Sequence, residues 1–352
     1  MIQENLRPIA YALAAAALFG ASTPAAKSLV GAIHPLLLAG LLYAGSGLGL
    51  TAWLTARRAS GSLAALGLRG TDFAWLAGAV LAGGVAGPVL LMFGLARTSA
   101  ANASLLLNLE SVLTALIAWF AFRENFDRRI AAGMALIVAG GVLLALEPGG
   151  LDGATAGASL IAAACLAWAI DNNLTRRVSA GDATAIAAIK GCVAGAINLS
   201  LAAAIGAAWP GAGAAFAASA VGLAGYGVSL VLFVLALRGL GAARTSAYFS
   251  AAPLFGVLIA VALLGETPPA LFWVAAALMA SGVWLHVSER HAHLHTHAPL
   301  EHSHAHRHDA HHQHAHGSLD WNGSEPHTHP HLHQPLRHSH PHYPDIHHWH
   351  RH

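Results

Sequence analysis

Charge is what this sequence has least of. Lys, Arg, Asp and Glu make up 10% of its 352 residues against 56% hydrophobic ones, with a mean hydropathy of +0.56. A water-soluble domain carries about a quarter charged residues, so the composition excludes a soluble globular fold. Cysteine is almost missing as well. Cys165 and Cys192 both lie inside apolar runs and read as small core residues, which excludes a disulfide framework. The apolar runs hold no ladder of histidines or cysteines; only His34 and His286 sit near run ends. No nucleophile–base pair, phosphate loop or compact metal triad stands among the loops, which argues against an enzyme. The net charge of +2 says little about partners, and nucleic acid is not expected among them.

What remains is apolar sequence in runs of about 17–25 residues, long enough at 1.5 Å per residue to cross roughly 30 Å of hydrocarbon. Ten spans are expected: approximately Pro8–Val30, Pro35–Ala56, Phe73–Leu95, Ser99–Phe122 and Arg129–Leu146, then Ala154–Leu174, Ala183–Ala208, Ala214–Leu237, Ala243–Leu264 and Ala270–Val287. The first is not a cleavable signal, because Glu4 and Arg7 precede it and further spans follow. With the N-terminus inside, the inner loops collect Arg57, Arg58, Arg69, Arg123, Arg128, Arg129, Arg176, Arg177, Arg238, Arg244 and Arg290. The outer loops hold only Arg97, with Lys27 near an outer end. The positive-inside rule therefore expects both termini in the cytoplasm. Tryptophans at Trp53, Trp75, Trp209 and Trp273 fall near span ends, as an aromatic belt requires.

The chain repeats itself. Placing Glu124 on Glu266 also places Gly140 on Gly282 and Leu95 on Leu237, and LFGASTPAAKS at Leu18 lies on AWAIDNNLTRR at Ala167. The reading is a first repeat over residues 8–147, a linker at 148–153, a second repeat at 154–288 and a tail at 289–352. Five spans is an odd number, so the second copy enters the membrane from the opposite face. Inverted repeats build transporters whose site lies near the midplane where the repeats meet. Glycines four apart, such as Gly45 with Gly49 and Gly191 with Gly195, let neighbouring helices approach closely.

Glu110 falls on Ala252 in the repeat alignment, so one copy carries a mid-span acid that the other lacks. The run Asn-Leu-Glu-Ser-Val-Leu-Thr-Ala-Leu-Ile-Ala-Trp around Glu110, the Arg-Glu-Asn loop after it, the Ala-Gly-Gly-Val-Leu-Leu end and LFGASTPAAKS together resemble the EamA-type repeat of the drug/metabolite transporter superfamily. The resemblance spans about residues 8 to 288. It implies a ten-helix permease that moves small solutes such as amino acids, nucleosides or sugars by exchange or ion coupling. The family usually writes Glu-Pro where this chain has Glu110-Ser111, which puts the proline kink there in question. The fold class expected is therefore an all-α membrane protein: ten transmembrane helices as two inverted five-helix repeats, plus a disordered cytoplasmic tail. Its place is a bacterial-type inner (plasma) membrane.

Glu110 stands about eleven residues, or roughly 16 Å, into its helix. A carboxylate at that depth costs a few kcal/mol unless it faces a cavity or a partner. It either carries a proton or cation or is a structural acid bonded to nearby backbone or to Asn108. Asp171 with Asn172 and Asn173 interrupts the sixth span, and Lys190 lies at a matching depth in the seventh. An Asp171–Lys190 ion pair across adjacent helices is expected, against independent snorkelling of each charge. Glu110, Asn108, Asp171, Asn172 and Lys190 are the candidate solute or ion pathway. Lys27 reads as an interfacial anchor.

Past residue 290 the composition changes. All but two of the 25 histidines lie there, with few aliphatics and no periodic apolar face, so the tail is expected to be disordered. HAHLHTH (His291, His293, His295, His297) and HSHAHRH (His302, His304, His306, His308) place imidazoles at every second position. Neutral imidazole suits zinc, nickel, cobalt and copper(II) rather than magnesium or calcium. The tail thus reads as a collective metal ligand, as a low-complexity expansion, or as a pH-responsive segment. No cofactor is expected to be required. Three functions stay open: export of an organic metabolite, efflux of a divalent transition metal fed by the tail, and a membrane-anchored metal buffer or sensor. Partners expected are the solute, the lipid bilayer and a second copy of the chain.

Overall fold

The computed structural model describes residues 6–59, 70, 72–122, 128–145, 154–178, 181–287, 292–297, 300–306, 327–333 and 336–341. The linker at 148–153, the Arg123–Asp127 loop, His291 and His308 lie outside them. The chain forms two compact units, Met1–Glu289 with Pro344–His352, and Arg290–Tyr343.

The first unit is entirely helical among its described residues: α1 (Leu6–Val30), α2 (Pro35–Ala59), α3 (Asp72–Ala79), α4 (Gly87–Leu95), α5 (Ala100–Leu106), α6 (Leu109–Phe122), α7 (Arg128–Ala145), α8 (Ala154–Val178), α9 (Ala183–Ala204), α10 (Ala212–Gly222), α11 (Ser229–Phe249), α12 (Ala252–Leu264) and α13 (Ala270–Val287). Six described helical stretches are long and apolar enough to cross a membrane, and α12 and α13 are shorter apolar helices. Two spans are continuous only through π-helical segments, Val80–Ala86 between α3 and α4 and Leu223–Val228 between α10 and α11. One boundary differs from expectation. The turn placed between the eighth and ninth spans, around Arg238–Ala242, is helical, and α11 runs on to Phe249. The sequence there is alanine and arginine interspersed with Gly239 and Gly241, with no proline, and glycine alone does not stop a helix.

The packing exchanges partners between the repeats. Helix α1 packs on α11 and α12 of the second repeat, while α8, which opens the second repeat, packs on α3, α4 and α6 of the first. Helix α2 lies along α9, and α7 along α13. The α2–α9 contact is closed by glycine: a Cβ at Gly191 would collide with the Gly47 backbone, and one at Gly195 would sit 2.6 Å from Ala44 N. Without a side chain at these positions the two backbones meet directly, which in lipid replaces the hydrophobic drive that water would supply.

The described residues of the second unit are short strands. Strands β1 (Ala292–His297), β2 (Leu300–His306), β3 (His327–His333) and β4 (Leu336–Pro341) form two antiparallel pairs, β1 with β4 and β2 with β3. Alternation with period two is the strand pattern.

Candidate functional site

The spans that carry the site are the ones that break. The fourth span stops at Leu106 and restarts at Leu109. Through the break Asn108 N donates to Leu105 O at 3.0 Å, and Glu110 N to Leu107 O at 3.1 Å. No proline is present, so the kink put in question at Ser111 exists without one. The Ser111 hydroxyl instead donates to Asn108 O at 2.8 Å, tying up a carbonyl at the break. The ninth span breaks at Ser250–Ala251, and there Pro253 follows in the first turn of α12. The two breaks fall within one residue of each other in the repeat alignment, as do the two π segments. Broken helices at corresponding positions of two repeats are where transporters place their solute.

Glu110, half-buried, opens α6 at the first break. Asn172 of α8 donates from Nδ2 to Glu110 Oε1 at 2.8 Å and to Thr114 Oγ1 at 3.4 Å. Asn108 is not the partner of Glu110: its Nδ2 faces Met279 Sδ at 3.9 Å, and its buried Oδ1 has no partner among the described residues. One turn from the break, Lys190 of α9 reaches Asp171 Oδ1 at 2.6 Å and Oδ2 at 2.8 Å, and Thr175 Oγ1 at 3.1 Å. Thr175 donates in turn to Asp171 Oδ1 at 2.8 Å. Both charged side chains are under one-tenth exposed, so they pair rather than snorkel: removed from water, each needs the other. Gly83 admits this pair, since a Cβ there would overlap the Asp171 carboxylate.

The first π segment supplies the neighbouring wall. A π turn leaves carbonyls without their usual i+4 donor, and these find side chains instead. Gly83 O accepts from Tyr43 Oη at 2.7 Å and Trp168 Nε1 at 2.9 Å, and Gly84 O accepts from Asn198 Nδ2 at 3.0 Å. Tyr43 and Trp168 are thereby fixed beside Phe19, Tyr226, Phe233 and Phe249. The rings connect without interruption: Phe19 lies 5.8 Å from Trp168, 5.8 Å from Tyr226 and 5.4 Å from Phe249, Tyr43 lies 5.3 Å from Tyr226, and Phe233 lies 4.9 Å from Phe249. They border a cavity of about 80 Å³ that Glu110, Asp171, Asn172 and Lys190 also line. A second cavity of about 40 Å³, lined by Asn108, Ser111 and Pro253, shares Glu110 and Asn172 with it. Sequence reading missed this ring set. The rings come from five different helices and show no common spacing, so only assembly collects them.

Elsewhere in the bundle, Lys27 does more than anchor. Its Nζ donates to Leu95 O at 2.6 Å and Thr98 O at 2.7 Å. Beside it the two oxygens of Glu266 accept from Ala100 N and Ala101 N, each at 2.8 Å, while Ser99 Oγ caps Asn102 N at 3.1 Å. The loop after α12 is thus tied to the start of α5. In the second unit only backbone register is described: His293 pairs with His340, His295 with His338, His302 with His331, His304 with His329 and His306 with His327. Among the described residues, no three of His, Cys, Asp and Glu converge as metal ligands.

The EamA-like transporter family matches this sequence twice, over residues 6–146 and 155–288. The chain belongs to the EamA-like transporter family. A relative from Methanothermobacter thermautotrophicus, described as an uncharacterized transporter, is 28% identical over 283 residues, covering 76% of this chain and 82% of its own length. A crystal structure of a protein 20% identical to this EamA-family chain aligns with a TM-score of 0.62 over 80% of this chain and 97% of that one, a likeness of fold. As an EamA-family protein the chain is an integral membrane transporter of the drug/metabolite class, with a small-molecule substrate and lipid around it.

Proposed function

We propose that this EamA-family protein exports an organic metabolite across a bacterial-type inner membrane by alternating access, with both termini cytoplasmic. The observation that carries the reading is the cavity beside the paired helix breaks, lined by Glu110, Asn172 and the Asp171–Lys190 pair. Buried charge at the junction of two repeats is expensive and is retained where a solute passes. In this reading Glu110, Asn172 and Asn108 meet the solute, and the Asp171–Lys190 pair forms a wall that holds α8 against α9. Comparing metabolites released by cells that lack the protein, carry it, or carry Glu110→Gln tests it. Release that rises with the intact chain and falls to background with the variant supports export; identical release from all three overturns it.

A second reading, efflux of nickel, cobalt or zinc fed by the tail, is supported by the five cross-strand histidine pairs in register. Histidine is a ligand suited to these ions and to copper(II). It expects tolerance to these metals to fall when the gene is absent, and to fall again when the chain is cut after Arg290. Unchanged tolerance in both strains sinks it.

A further inference from the structure

Resting on the transport reading, we infer that the solute held at Glu110 is a small organic cation, with an alkylated ammonium head. The argument is an inventory of hydrogen-bonding capacity around the two joined cavities. Most of the strong donors facing them are already committed. Lys190 has three N–H groups and makes three bonds, to both Asp171 oxygens and to Thr175. Asn172 Nδ2 has two and makes two, to Glu110 and Thr114. The Trp168 N–H and the Tyr43 hydroxyl both end on Gly83 O. An anionic or carboxylate-bearing solute would therefore find no cationic donor without breaking one of these bonds.

Acceptors are left over. Glu110 Oε1 takes the Asn172 bond, and Glu110 lines both cavities. Asn108 Oδ1 is buried with no hydrogen-bond partner among the described residues, as is the Tyr226 hydroxyl, which can donate as well as accept. The charge balance has the same sign. Among the described residues Lys190 is the one cation lining either cavity and Asp171 cancels it, which leaves Glu110 as the net charge. The remaining wall is the connected ring set, whose π faces attract ammonium groups, most strongly where water is excluded. Acceptors in excess, one uncompensated acid and a continuous aromatic wall form a set that a cation completes. An anionic solute leaves Glu110 without a counter-charge.

The test is equilibrium binding to the full chain in detergent micelles, measured by calorimetry with three probes of one shape: choline, its neutral carbon isostere 3,3-dimethylbutan-1-ol, and the anion 3,3-dimethylbutanoate. Choline is expected to bind about tenfold or more tighter than the isostere, with no binding of the anion. Glu110→Gln is expected to erase the preference while the thermal unfolding midpoint stays where it was. The comparison of isosteres on the unaltered chain needs no variant to fold. Equal binding of choline and its isostere, tighter binding of the anion, or no binding of any probe overturns the assignment. Binding asks nothing of transport, so the two readings fail separately. Export without choline binding overturns the cation alone, and choline binding without any release phenotype overturns export alone.

Discussion

Glu110 and the Asp171–Lys190 pair are all charges within the spans, yet their surroundings give them different tasks. Lys190 and Asp171 satisfy one another and Thr175 completely, so their weight falls on holding α8 to α9. Replacing Lys190 by Met leaves Asp171 buried without its counter-charge. This is expected to cost about 3–5 kcal/mol of stability, most of it recovered in the double variant Asp171→Asn/Lys190→Met. Thermal unfolding of the three purified proteins checks the order. Glu110 has one neutral partner and faces open space. Glu110→Gln keeps a group that can accept from Asn172, so it is expected to abolish solute movement in proteoliposomes with the unfolding midpoint unchanged. Both charges could be picked out of the sequence because an ionised group in an apolar run is conspicuous. Which residue answers Glu110 could not, because Asn108 is near it in sequence while Asn172 is near it in space.

At the scale of elements, the helices owe their contacts to small residues and their ends to capping. Gly191→Leu forces a side chain into the Gly47 backbone. It is expected to leave no monodisperse protein on size-exclusion chromatography in detergent, because α2 and α9 lose their shared face. Glu266 satisfies two orphan amides at the start of α5, and amides at a helix start need an acceptor. Glu266→Ala is expected to cost about 1 kcal/mol, read as a lowered unfolding midpoint. The glycine spacing announced close packing before any partner was known. The Glu266 cap had a weaker sign, its alignment with Glu124 in a loop. The π segments had none, because a π turn is selected by the side chains that arrive to bond its freed carbonyls, here Tyr43, Trp168 and Asn198 from other helices.

At the scale of the whole molecule, an odd number of spans per repeat fixes the threading. A single cysteine placed in the 148–153 linker, with Cys165 and Cys192 replaced by Ala, is expected to react with an impermeant thiol reagent applied outside intact cells, whereas one near the N-terminus is not. A linker shielded from the outside undoes the proposed orientation. Helices and histidine tail form separate compact units. Cutting after Arg290 is therefore expected to leave the helical unit's unfolding midpoint unchanged and to remove high-capacity nickel binding, measured by calorimetry.

The sequence by itself determined that this chain lives in lipid, how many times it repeats, and which charges are out of place there. Those properties depend on composition and spacing along the chain, and the bilayer imposes them on any apolar run of sufficient length. Only the tertiary structure decided the walls of the cavity. Phe19, Tyr43, Trp168, Tyr226 and Phe249 come from α1, α2, α8, the second π segment and α11. No pattern within one helix records which faces of the others will turn toward the same point. That choice follows from how the two repeats exchange their first helices, a matter of packing among distant segments.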